Sequence, residues 1–198
     1  MITLRAPSSL TFTEPSPTLT PPTLSWLSGP WNVTHSTLPM WKKSRNVRIT
    51  YTPISSTTPA AIDDVVTYQS LGSDKIKTVH GVDKAFEVSN TPVGEGADAS
   101  EERASLGYNW RGKGWLVIAT SKWEILGYGE EGDGNSYVVT YFAKTLFTPA
   151  GVDFYSRKGN LTPETIEGIK VGLAGLGGEV AKLAVDVFEV KMDGDRQD

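Results

Sequence analysis

His35 and His80 are the only side chains in this chain whose charge ordinarily changes near neutral pH. His35 follows Trp31 by four residues, so in an extended strand Trp31, Val33 and His35 share one face. Arg45, Val47, Ile49 and Tyr51 share a face of the next period-two run. If the runs are antiparallel neighbours in a barrel and Trp31 points inward near one end, His35 stands about 13 Å higher on the same face. Arg45 then comes down from that same end, with Tyr51 deeper. An imidazole can move a proton near neutral pH, and a guanidinium can hold a carbonyl, enolate or phenolate oxygen. Beside a fixed cation the imidazole is held neutral and available as a base. The spacing therefore predicts a catalytic set of His35, Arg45 and Tyr51. The competing reading is a satisfied wall histidine and a surface arginine, because a one-residue register slip turns His35 outward.

Six Trp and seven Tyr supply flat rings for a pocket. Tyr108 and Trp110 share one strand face, as do Trp115, Val117, Ala119, Ser121 and Trp123, and as do Tyr137, Val139 and Tyr141. Together with Tyr68, and with Trp41 and Lys42 on a segment placed to fold over the mouth, they give an expected ligand-contact set: Trp41, Lys42, Tyr68, Tyr108, Trp110, Trp123 and Tyr141. Both faces of 115–126 and 136–147 are apolar, so some of these rings must pack outside the barrel, under a helix. Lys75, Lys77, Arg111 and Lys113 either ring an entrance for an acid or are solvated strand edges.

Other chemistries are set aside. The chain has no cysteine, which excludes disulfides, thiolate metal sites and a cysteine nucleophile. Two histidines cannot make a three-His zinc site, and no glycine-rich phosphate loop follows a strand. Asp63 and Asp64 share no strand face and make a poor carboxylate pair. No metal and no cofactor are expected. A net charge of −4 gives no basic excess for nucleic acid. No apolar run is long enough to cross a bilayer, and the N-terminus carries no secretory pattern, so the expected location is the cytoplasm. Oligomeric state is not fixed.

Residues 1–23 contain five prolines among Ser and Thr, predicting an extended or mobile arm. Residues 24–190 form the expected single domain, followed by a polar tail, 191–198. Short runs of period two near 31–36, 45–51, 62–69, 75–80, 106–110, 115–126, 136–147 and 152–157 predict about eight antiparallel strands in an all-β, up-and-down barrel. Thr162 as N-cap, Pro163 in the first turn and Glu164 predict one C-terminal helix, breaking near Gly177. Residues 181–190 are ambiguous between helix and strand.

Gly29-Pro30-Trp31 at the first strand resembles the Gly-x-Trp opening of lipocalins and, more broadly, calycins. In that family the Trp closes the barrel base and an Arg from the last strand packs across it. Arg157 stands where that Arg belongs, and a helix follows. The resemblance covers residues 29 to about 185, although the family's other short signatures and its disulfides are missing. The chain is most similar in this respect to small cytosolic lipocalin-like proteins of fungal natural-product type, which carry hydrophobic compounds or direct their cyclisation. The resemblance implies a hydrophobic or aromatic small molecule as partner. It implies either a cofactor-free isomerase or cyclase acting on a polyketide- or phenol-like substrate, or a carrier that does no chemistry.

Overall fold

The structure, a computed structural model, describes residues 2–12, 16–88 and 102–193. A short helix α1 (Leu24–Leu27) precedes eight strands: β1 (Gly29–Ser36), β2 (Ser44–Ile54), β3 (Ala61–Ser70), β4 (Ile76–Phe86), β5 (Gly107–Gly112), β6 (Thr120–Glu130), β7 (Ser136–Phe142) and β8 (Gly151–Ser156). Each pairs antiparallel with the next, and β1 pairs with both β8 and β2, so the sheet closes. This is the expected up-and-down barrel. Helices α2 (Pro163–Gly175) and α3 (Gly178–Asp186) follow, then a two-residue strand β9 (Phe188–Glu189) beside β1. Among the described residues no helix is long and apolar enough to cross a membrane.

Alternation along the strands sorts the apolar side chains into two cores. The inner one holds Trp31, Val33, Ile49, Tyr51, Trp123 and Tyr155 among others. The outer one lies between the wall formed by β6–β8 and the helices, with Leu126, Val139 and Phe154 under Ile169, Leu173 and Val180. Thr162 caps α2 by accepting from the Thr165 N–H, as its position predicts. The break falls at Gly177 and Gly178, whose φ values of 73° and 58° suit residues without a Cβ. The ambiguous stretch resolves as α3 followed by β9.

Two expectations fail, and one open alternative takes a form. The described part of the arm, read as extended or mobile, is extended and packs on the outer wall. Leu4 is buried against Gly127 and Gly172, the Arg5 N–H donates to the Leu126 carbonyl, and the Arg5 guanidinium meets Glu124 at 2.6 Å with both side chains buried. Proline bars the arm from a central ladder but not from lying along the outer wall. Gly168 and Gly172 of α2 face the arm, with Ile2 and Leu4 against them. Next, Trp115–Ala119 is not strand: it belongs to the β5–β6 loop, which opens with a 3₁₀ turn at Gly114–Leu116. Finally, period two does not hold throughout β1 and β2. Register shifts occur between Val33 and His35 against β8, and between Arg45 and Arg48 against β3. At the second, Asn46 adopts φ 52°. Each is a β-bulge, which adds one residue to one strand and reverses the facing of everything on its far side.

Candidate functional site

The base of the barrel is closed by Trp31. Its ring is fully buried, its Nε1 donates to the Leu27 carbonyl at 2.7 Å, and Trp26 packs 5.2 Å away between ring centres. The Arg157 guanidinium lies 3.5 Å over the ring centre and donates to the Pro30 and Ser28 carbonyls at 2.7 Å and to the Trp26 carbonyl. Burial lowers its pKa to about 10. Gly29, at φ 91°, lets the strand turn past this arginine, for a Cβ there would sit 3.3 Å from a guanidinium nitrogen.

Above the base, three rings form a wall. Tyr51 on β2 stacks on Trp123 on β6 at 5.6 Å and 10°, and Trp123 stacks on Tyr108 on β5 at 4.8 Å. All three are buried. Trp110 is half-buried with its ring over Gly81, where any side chain would collide with it. A 3₁₀ turn, Pro39–Lys43, crosses the opposite end and drops Trp41 into the inner core, edge-on to Tyr68 at 5.6 Å. The segment expected to cover the mouth does so.

Four predicted site residues lie elsewhere. His35 faces outward: past the β1 bulge it pairs with Phe154 and stacks on its ring at 5.9 Å. Burial lowers its pKa. Arg45, before the β2 bulge, pairs with Gln69 and ion-pairs with Asp74 at 2.5 Å and with Asp193 of the C-terminal segment. The two therefore do not meet over an interior site. Tyr141 belongs to the outer core, since on β7 it is Val138 and Thr140 that face inward. Lys42 is exposed, with its ammonium 5.4 Å over the Phe188 ring. His80, the other histidine, sits on the outer wall with Asp63 at 2.8 Å, which also takes Lys113 at 2.5 Å.

The sequence reading missed three interior carboxyl groups. Asp64 on β3 and Asp83 on β4 lie diagonally across the ladder, Asp64 opposite Gly81 and Asp83 opposite Ile62. Both are buried, and desolvation raises both pKa values, Asp83 the more strongly because Asp64 is its neighbour. Two carboxyls in such contact share a proton. Trp123 Nε1 donates to Asp83 Oδ1 at 2.8 Å. Asp64 Oδ1, Asp83 Oδ2 and the Tyr155 hydroxyl are buried with no well-formed hydrogen bond outside their own cluster, in which Asp64 meets Asp83 and Tyr155 meets Tyr51 and Thr140. The third acid, Asp153 on β8, accepts from the Ser36 hydroxyl at 2.5 Å and from Trp41 Nε1 at 3.2 Å. Burial lifts its pKa to about 7. The signal that could have found these acids was one inward phase shared by Ile62, Asp64 and Val66, and by Gly81 and Asp83. Set against the adjacent pair Asp63–Asp64, it was overlooked.

An open cleft of about 950 Å³ lies beside the mouth, between β4–β6 and the start of the β7–β8 loop. Lys84, Arg111, Lys113, Lys122 and Lys144 line it, with Trp110 and Leu146, and among the described residues no carboxylate does.

No protein-family model and no curated protein matches the chain. Solved structures do. Lobster apocrustacyanin A1 superposes with a TM-score of 0.56 at 12% identity, over 86% of this chain and 80% of that one. Per a 4, a major allergen from cockroaches, gives 0.54 at 11% identity, over 89% and 93%. The amine-binding protein of Rhodnius prolixus, solved as its tryptamine complex, gives 0.53 at 12% identity, over 91% and 86%. At such identities the likeness establishes the fold, a lipocalin-like barrel.

Proposed function

We propose that the barrel binds a small, flat, largely apolar molecule bearing a hydrogen-bond donor, and that it acts as a carrier. One observation carries this reading: a buried polar cluster of the Asp64 and Asp83 carboxyls and the Tyr155 hydroxyl stands among the stacked rings of Tyr51 and Trp123. Asp64 and Asp83 meet through the proton they share and Tyr155 neighbours Tyr51, and a donor brought by a ligand would complete the hydrogen bonding of these buried oxygens. Aromatic walls with a few fixed polar atoms are the usual chemistry of a small-molecule site. Tyr51, Trp123 and Tyr108 are the contact residues, with Trp41 and Tyr68 beneath the lid and Trp110 at the rim. The amine-binding neighbour, solved with tryptamine, is compatible with this use of the fold. Isomerisation or cyclisation through His35 and Arg45 has no support from the geometry, because the bulges put both outside.

The test is titration with 2-naphthol and with naphthalene, followed by tryptophan fluorescence, and recovery of the ligand by mass spectrometry. Saturable binding of 2-naphthol, weaker binding of naphthalene, and loss of both in Trp123→Leu are expected. No saturable binding, or unaltered binding by Trp123→Leu, overturns the reading. For the catalytic alternative, the measurement is the mass of a ligand that co-purifies with the chain: recovery as a converted product would show chemistry and displace the carrier.

A further inference from the structure

We propose that the mouth of the barrel docks on an anionic phospholipid surface. This does not depend on which ligand, if any, the interior takes. The topology brings four connections to one end: the segment 37–43 after β1, 71–75 after β3, 113–119 after β5 and 143–150 after β7. Each presents an apolar side chain to solvent. Met40 stands on the first and Leu71 on the second. Trp115 and Ile118 on the third are 86% and 88% exposed, and Leu146 and Phe147 on the fourth are 95% and 92% exposed. Away from these loops and the adjoining start of β4, the only exposed large apolar residues among those described are Val171 and Val185 on the helices. Soluble surfaces scatter such side chains singly, and a ring of them at one pole marks an interaction site.

The charge around them selects the partner. The four mouth segments carry Lys42, Lys43, Lys75, Lys113 and Lys144 against one acid, Asp74; Asp74 is paired with Arg45, and Lys113 with Asp63 on the outer wall. The basic cleft opens beside them. The described connections at the opposite pole carry Glu87, Glu102, Glu131 and Asp133 against Arg103, Arg157 and Lys158. A chain of net charge −4 thus keeps a positive pole where its exposed aromatic and aliphatic side chains are. A protein partner would need a matching apolar surface. A membrane needs only what is present: aromatic and aliphatic tips for the interface, surrounded by lysines for the anionic headgroups. The cleft, with no carboxylate among its described lining residues, gives headgroup phosphates a place between Lys84, Lys122 and Lys144. Docked this way, the lid turn carrying Trp41 faces the lipid.

The experiment is co-sedimentation of the full chain with phosphatidylcholine vesicles, with and without phosphatidylserine. Binding to the serine-containing vesicles is expected, falling as salt is raised, together with a blue shift of fluorescence that is absent in Trp115→Ser. Each lysine near an anionic surface adds about fivefold to partitioning, so Lys43→Gln/Lys75→Gln/Lys144→Gln should bind about a hundredfold more weakly. Trp115→Ser/Phe147→Ser should bind more weakly with the salt dependence kept. These positions are exposed, and unchanged circular dichroism confirms that the variants fold. Equal binding to both vesicle types, full binding by the lysine variant, or a concentration-dependent dimer that the Trp115→Ser/Phe147→Ser variant abolishes would overturn the proposal, the last by assigning the surface to a second copy of the chain.

Discussion

Asp153 gives the sharpest test of the interior electrostatics. Its carboxyl is fully enclosed beneath the lid, and burial moves its pKa from 3.8 to about 7. In the unfolded chain the proton leaves above 3.8, whereas in the barrel it stays until about 7. Within that window unfolding releases a proton, so raising the pH favours the unfolded state. The group costs nothing at the acid end and its full penalty at and above about pH 7. At 1.36 kcal/mol per pKa unit the full penalty is about 4 kcal/mol. Asp153→Asn keeps the shape: the amide oxygen accepts from Trp41 Nε1, and the amide N–H donates to the Ser36 hydroxyl oxygen. Urea unfolding of both proteins across the window should show the variant gaining up to about 1.4 kcal/mol per pH unit over the wild type, then levelling off. The difference isolates Asp153 from Asp64 and Asp83, whose raised values tilt both curves the same way. A difference that does not change with pH would refute the reasoning, since it would mean that Asp153 is already ionised under the lid.

Further outcomes follow from the same packing. Trp31→Ala should lose about 3–5 kcal/mol in chemical denaturation, since the ring is fully enclosed and Arg157 would be left over a cavity. Arg5→Ala should cost about 3–5 kcal/mol by leaving the Glu124 carboxylate buried and unpaired, and deleting residues 1–12 should lower the melting temperature clearly in calorimetry. Gly81→Ala should destabilise by about 1–3 kcal/mol and shift the near-ultraviolet circular dichroism, because the new methyl meets the Trp110 ring. His35→Ala and Arg45→Ala should leave ligand affinity within error in the fluorescence titration while Trp123→Leu reduces it, and loss of affinity in the first two would return them to the site.

Much of the architecture was legible because it rests on local chemistry. Period-two runs bounded by glycine-rich turns specify antiparallel strands, and their number specifies closure. The Thr162-Pro163-Glu164 start and the Gly177-Gly178 break fix the helices by capping and backbone freedom alone. Gly29-Pro30-Trp31 and Arg157 met at the base because the first and last strands of a closed meander must be neighbours. Tyr51, Tyr108 and Trp123 lie beyond the irregular stretches, and their phase carried them inward as the pattern required.

The placement of His35 and Arg45 was decided only by the tertiary structure. Side-chain facing in a strand is a running parity, and one inserted residue inverts it. Nothing in Val33-Thr34-His35 or Arg45-Asn46-Val47 announces a bulge by itself, because the insertion is forced by how each strand must bend to meet its partner. The inner and outer faces of β7 were equally unreadable: both are apolar, and only the presence of α2, α3 and the arm on one side assigns Tyr141 there and Val138 to the interior. The buried acids follow the same rule. Sequence shows Asp64 beside Asp63, but the barrel sets it against Asp83 from another strand, where exclusion of water makes two ordinary carboxyls share one proton.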